Sequence, residues 1–189
     1  MFSRSSGSAK NSGRWPMPRA MNPDFLDLLR AFSAADVRFL IVGAYALGLH
    51  GRPRATGDLD IWIDATPDNA ARVMRALAQF GAPLGDIQEA DFAREGVTYQ
   101  IGMPPRRIDI LTALTGLSFG EAWTGRVRKP FGEIEVDFIG RKDFIANKRQ
   151  TGRLKDLATS KAWSKRRRLS ALGHPLVREP ASGMRAPIW

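Results

Sequence analysis

The stretch that decides the reading runs from Val42 to Trp62, VGAYALGLHGRPRATGDLDIW. It holds a small-residue turn, a short helical stretch, two arginines and two carboxylates. Its last part alternates: Leu59, Ile61 and Ile63 fall on one side, Asp58, Asp60 and Trp62 on the other. That period of two is a strand from Gly57 to Asp64 with one buried face. Asp58 and Asp60 then point the same way, with Cα atoms roughly 6–7 Å apart. Two carboxylates at that spacing suit one or two hard cations. Mg²⁺ takes oxygen ligands and commonly keeps a substrate phosphate in its shell; Mn²⁺ accepts the same donors.

Upstream, Arg38 to Val42 is a short apolar run that reads as a buried strand, ended by Gly43. Ala44 to His50 reads as a short helix stopped by Gly51. A glycine between a strand and a helix lets backbone N–H groups approach an anion, so Gly43 and Ala44 are candidates for a phosphate loop; a plain strand-to-helix turn has the same look. His50, Arg52 and Arg54 follow. A guanidinium suits bidentate phosphate binding, and Arg54 lies nearer the acidic strand. His50 is either a supporting site residue or a helix-end histidine satisfied by backbone.

Further out, Asn22-Pro23 opens a helix with Asn as N-cap and Phe25, Leu28, Leu29 and Phe32 as its stripe. Thr66-Pro67 opens another, with Ala70, Val73, Leu77 and Phe80 inward. Gly81 to Glu95 reads as irregular. Val97–Ile101 and Arg107–Leu111 are strands joined by a turn at 102–105, Ser118–Trp123 a short helix, and Ile134–Ile139 a strand. Arg141–Gln150 and 153–168 are helices split at Thr151-Gly152.

Ile108 and Ile110 face the core, which puts Asp109 on the opposite side. If that strand lies beside the first acidic one, Asp58, Asp60 and Asp109 converge. Crowded anions repel, so such a trio favours cations. Alone, Asp109 would read as an edge-strand solvent residue. Glu135 and Asp137 also share a face, but without a glycine turn or nearby arginines they read as the solvent side of an antiparallel strand. Near the other end, Lys148, Arg153 and Asp156 crowd a helix break. Lys148 and Arg153 suit phosphate, with Asp156 orienting either; an exposed, ion-paired helical turn is the plainer reading.

The chain of 189 residues is about one domain. Residues 1–21 read as a disordered basic segment, 22–168 as the domain and 169–189 as a tail. The net charge of +10 comes from the ends: +4 in residues 1–20 and +9 in 148–189, which leaves −3 between. Basic ends suit a polyanion, although Lys165–Arg168 also suits a solvated helix end. No apolar run spans a bilayer and no secretory signal opens the chain. Cysteine is absent, which excludes disulfides and thiolate metal sites and fits a cytoplasmic protein.

Three blocks together resemble the nucleotidyltransferase superfamily that includes DNA polymerase β, and most its small bacterial branch related to AbiEii-like nucleotidyltransferase toxins. They are Gly43-Ala44 through Asp58-Leu59-Asp60, Arg107-Ile108-Asp109, and Asn147-Lys148 through Asp156. The resemblance implies a mixed α/β sheet with flanking helices and C-terminal helices. It implies metal ligands at Asp58, Asp60 and Asp109, a phosphate loop at Gly43 and Ala44, and a phosphate-binding lysine at Lys148. The chain departs from the family where Ala44 replaces the usual Gly or Ser, and where Thr159 replaces an acid. The expected activity is Mg²⁺-dependent transfer of a nucleoside monophosphate from an NTP to a hydroxyl of RNA such as tRNA, a protein or a small molecule. By family analogy the chain is a toxin with an antitoxin partner. The competing expectations are an inactive fold that binds nucleic acid or a protein, and a metal-dependent phosphohydrolase.

Overall fold

The computed structural model describes residues 22–104 and 106–151. The expectations for segment 1–21, for the helix at 153–168 with its basic run, and for the tail from 169 lie outside the described residues.

The chain opens with α1 (Pro23–Ala34), where the Asn22 side chain accepts the Asp24 N–H at 3.1 Å and Pro23 takes the first turn. Phe25, Leu28, Leu29 and Phe32 are all buried, as the helical stripe requires. There follow β1 (Phe39–Ile41), α2 (Gly43–Leu49), β2 (Leu59–Ile63) and α3 (Pro67–Phe80). Gly81 ends α3 in the left-handed conformation at φ +83°, its N–H returning to Leu77 and Ala78. The second half contributes α4 (Glu89–Phe92), β3 (Thr98–Ile101), β4 (Ile108–Leu111), α5 (Phe119–Thr124), β5 (Val127–Phe131), β6 (Ile134–Phe138) and α6 (Arg141–Gln150).

The six strands form one mixed sheet in the order β3-β4-β2-β1-β6-β5. β2 pairs parallel with β4, and β1 parallel with β6; the other pairings are antiparallel. Leu59, Ile61 and Ile63 are wholly buried, as are Leu40 and Ile41 beside them. Asn69 binds the layers together. Its Oδ1 accepts the Arg38 N–H at 2.7 Å, and its Nδ2 donates to the carbonyls of Arg38 (3.0 Å) and Asp64 (2.9 Å).

Three expectations need correction. The region from Gly81 is not wholly irregular: α4 forms at 89–92, held by a reciprocal capping box between Gln88 and Asp91. A sixth strand, β5, went unread. It is the sheet edge, where Pro130 needs no ladder partner for its missing N–H, and it turns into β6 through Gly132 at φ +65°. Finally, β2 is covered on both faces along part of its length. Trp62, on the side of Asp58 and Asp60, is 1% exposed and meets Phe119 of α5 edge-on at 5.0 Å.

Candidate active site

The parallel pairing of β2 and β4 sets Asp60 directly opposite Asp109. The register is held by the Leu59 N–H donating to the Arg107 carbonyl at 2.9 Å. Ile108 and Ile110 are buried in the core, so Asp109 stands on the other face, as their alternation demands. β4 lies between β2 and β3 and is not an edge; Asp109 is only 8% exposed. Asp58 sits one residue before β2, its side chain 38% exposed.

Gly43 opens α2 at φ +59°, a conformation that costs any residue with a side chain about 1–2 kcal/mol. Sterics require it as well. A Cβ at Gly43 would overlap the Asp60 Oδ2 and lie 2.5 Å from Cγ and 2.9 Å from Cβ. The turn therefore serves as a seat for the Asp60 carboxylate, with the Ala44 backbone N–H near enough to favour its charged form. Burial raises the Asp60 carboxyl above its ordinary range, and repulsion from Asp109 and Asp58 adds to the rise; Lys148 and the Ala44 N–H oppose it.

Arg107, unassigned in the sequence reading, is the main cation here. It stands two residues before Asp109 on the same strand and so on the same side. Its Nε lies 2.7 Å from Asp109 Oδ1 and its Nη2 donates to Oδ2 at 2.9 Å. The same Nη2 is 4.0 Å from Asp58 Oδ2, and the Arg107 backbone N–H donates to Asp58 Oδ1 at 3.3 Å. The 2.7 Å approach lacks hydrogen-bond alignment, which leaves Asp109 Oδ1 buried without a hydrogen bond. The signal for Arg107 was its spacing: an arginine at i−2 from a strand carboxylate is long enough to fold back onto it.

Of the other expected residues, Lys148 of α6 acts on Asp60 through its charge and lies 5.6 Å from the Phe144 ring. His50 is directed elsewhere. Its Nε2 donates to the Ile139 carbonyl at 2.9 Å, tying the end of α2 to the end of β6. Burial holds its pKa below the usual imidazole value. Arg54 stands exposed in the loop between α2 and β2. Arg153 and Asp156 lie outside the described residues. The other acidic pair, on β6, is engaged by cations: Asp137 with Arg126 at 3.5 Å, Glu135 with Arg128 at 3.9 Å.

The structure thus gathers Gly43, Ala44, Asp58, Asp60, Asp109 and Lys148 about one end of β2, while His50 is held at β6. The donors are hard carboxylate oxygens, the chemistry Mg²⁺ and Mn²⁺ take, and the buried Asp109 Oδ1 has no hydrogen bond, although Arg107 Nε lies against it. Among the described residues, however, no three such side chains are arranged as they stand to hold a metal ion; Asp58 and Asp109 face Arg107 instead.

No protein-family model matches the chain, and no curated protein matches it. Among solved structures, it is similar to a crystal structure from Thermotoga maritima described as a "putative nucleotidyltransferase". The TM-score is 0.50 at 14% identity, over 78% of this chain and 96% of that one. At that identity the likeness is one of architecture: the six-stranded mixed sheet with flanking helices is a nucleotidyltransferase-like fold.

Proposed function

We propose that the protein is a divalent-cation-dependent nucleotidyltransferase. The observation that carries this is the in-register pair Asp60–Asp109 on adjacent parallel strands, seated against a strand-to-helix glycine turn. Asp58, Asp60 and Asp109 would hold Mg²⁺ or Mn²⁺, in one or two ions. When bound, the cation supplies positive charge against the phosphates and the attacking oxygen. Lys148 adds an ammonium for the departing pyrophosphate, with Gly43 and Ala44 lining the turn beside it. The acceptor hydroxyl attacks the α-phosphorus in line. The new O–P bond forms as the bond to the β-phosphate oxygen breaks; pyrophosphate leaves, and the hydroxyl proton passes to Asp109. The clustering of charge at the chain ends favours RNA as the acceptor. A toxin role with an antitoxin partner follows only from resemblance to the AbiEii-like branch.

The hold of Arg107 on Asp58 and Asp109 favours one second reading, a binding protein that keeps the fold without the reaction. One experiment separates the two. The full chain is incubated with each α-labelled NTP, Mg²⁺ and total RNA. Label on RNA, lost in Asp58→Asn and Asp60→Asn, is expected. Label released as free monophosphate would make the protein a hydrolase. No turnover with any NTP or acceptor class would leave the binding reading standing.

A further inference from the structure

We propose that Arg107 is the built-in counter-ion of the carboxylate cluster, and that a divalent cation binds only as this guanidinium gives way. The inference rests on the metal reading above.

Three observations carry it. Arg107 contacts both flanking acids, Asp109 through two nitrogens and Asp58 through its backbone N–H, with the guanidinium 4.0 Å from the second carboxylate. The Asp109 side chain is only 11% exposed, and although its Oδ2 takes a hydrogen bond from Arg107 Nη2, its buried Oδ1 meets Arg107 Nε at 2.7 Å without hydrogen-bond alignment. The third acid, Asp60, makes no ion pair or hydrogen bond with Arg107 and feels it only through charge; Lys148 and the Ala44 backbone N–H favour its ionised form. Arg107 thus holds two of the three ligands to itself, and no trio is arranged for an ion among the described residues.

The physical consequence is competition. Two like charges a few ångströms apart in a half-buried setting repel strongly, so the cluster needs a positive charge whether or not a metal is present. A tethered guanidinium supplies it without a ligand. It also lowers metal affinity, because the ion must displace a cation already in contact. The assignment makes Arg107 a positioning residue: it holds Asp58 and Asp109 within one guanidinium's reach until a doubly charged ion takes over.

The test is Mn²⁺ binding by titration calorimetry, paired with thermal unfolding with and without Mn²⁺, on the full chain and on Arg107→Gln and Arg107→Lys. Arg107→Gln is expected to be less stable than wild type without cation. It should bind Mn²⁺ about tenfold or more tightly, and gain more melting temperature from Mn²⁺. Arg107→Lys keeps the charge and should stay near wild type in both respects. If wild type binds Mn²⁺ and Arg107→Gln binds it equally or more weakly, the counter-ion role is wrong while the metal reading stands. If none of the three binds Mn²⁺ at millimolar concentration, the metal reading falls and this inference with it. Should Arg107→Gln not fold in either condition, the comparison of Arg107→Lys with Arg107→Met decides, with Met keeping the stem and removing the charge.

Discussion

Replacing Gly43 by alanine separates two costs that usually arrive together. The first is conformational: at φ +59° a Cβ costs about 1–2 kcal/mol whatever surrounds it. The second is local. The new methyl would overlap the Asp60 carboxylate and force that side chain off its seat. Overpacking of this kind costs about 1–3 kcal/mol, so Gly43→Ala should lose about 2–5 kcal/mol. A domain of this size has about 5–15 kcal/mol to lose, so the variant should fold but melt visibly earlier. Urea denaturation at neutral pH without divalent cations reads this as a lower midpoint at unchanged slope. The two costs are told apart by repeating the substitution in an Asp60→Ala background. There the carboxylate is gone and only the β-carbon at 2.9 Å remains. The loss from Gly43→Ala should then shrink toward the conformational 1–2 kcal/mol, with a remainder from that β-carbon, a coupling of about 1 kcal/mol. Equal losses in the two backgrounds would mean that Gly43 is not there to seat Asp60, and the account of the turn would be wrong.

Two further outcomes follow from the same geometry. His50 has its pKa lowered by burial, so as pH falls the unfolded chain takes up the proton first. Native stability should therefore decline as pH falls below the usual imidazole pKa near 6.5 toward the depressed native value, and His50→Gln should flatten the profile below about pH 6.5; parallel profiles would refute the burial argument. Asn69→Ala should cost about 1–3 kcal/mol in denaturation, because it strands the Arg38 N–H and takes one of two donors from the Arg38 and Asp64 carbonyls, which keep the Asp64 and Thr66 N–H groups, whereas Glu135→Ala, whose ion pair is 66% exposed on both sides, should cost under about 0.5 kcal/mol.

The parts of the fold legible in sequence are those with local causes. α1 and α6 carry their start signals or their stop within a turn of each end, and their bounds fall where those signals sit. β2 and β4 show clean alternation, so the faces of Asp60 and Asp109 could be assigned, though adjacency of the two strands could only be posed as a condition. β5 was hidden because an edge strand is wet on both sides: Arg128, Lys129 and Pro130 are exposed in a row and no period of two survives. α4 is four residues long and held by side-chain caps instead of an apolar stripe. The partner of His50 is a carbonyl 89 positions away, which no local pattern announces. Arg107 was missed for a different cause. Its spacing was in plain view, but a guanidinium that folds back along its own strand is chosen by what the neighbouring strand presents, and that is a property of the sheet.

The same two strands show why the acids are hard to read as structural filler. One step further along the same face, two residues beyond Asp60–Asp109, the facing pair becomes Trp62–Leu111, with Phe119 lying against the tryptophan. Apolar groups were therefore sterically and chemically acceptable on this face one step away. In their place stand two carboxylates in direct opposition, a third just before them, a raised Asp60 carboxyl, and a glycine held at positive φ to make room. Each of these lowers the stability of the cation-free fold, and Arg107 and Lys148 relieve only part of the cost. A sheet under selection for stability alone would continue the Trp62–Leu111 pattern to the strand end. Charge concentrated there against that gradient is what a site for cationic ligands requires, and the abrupt change from apolar to acidic pair marks where its floor lies.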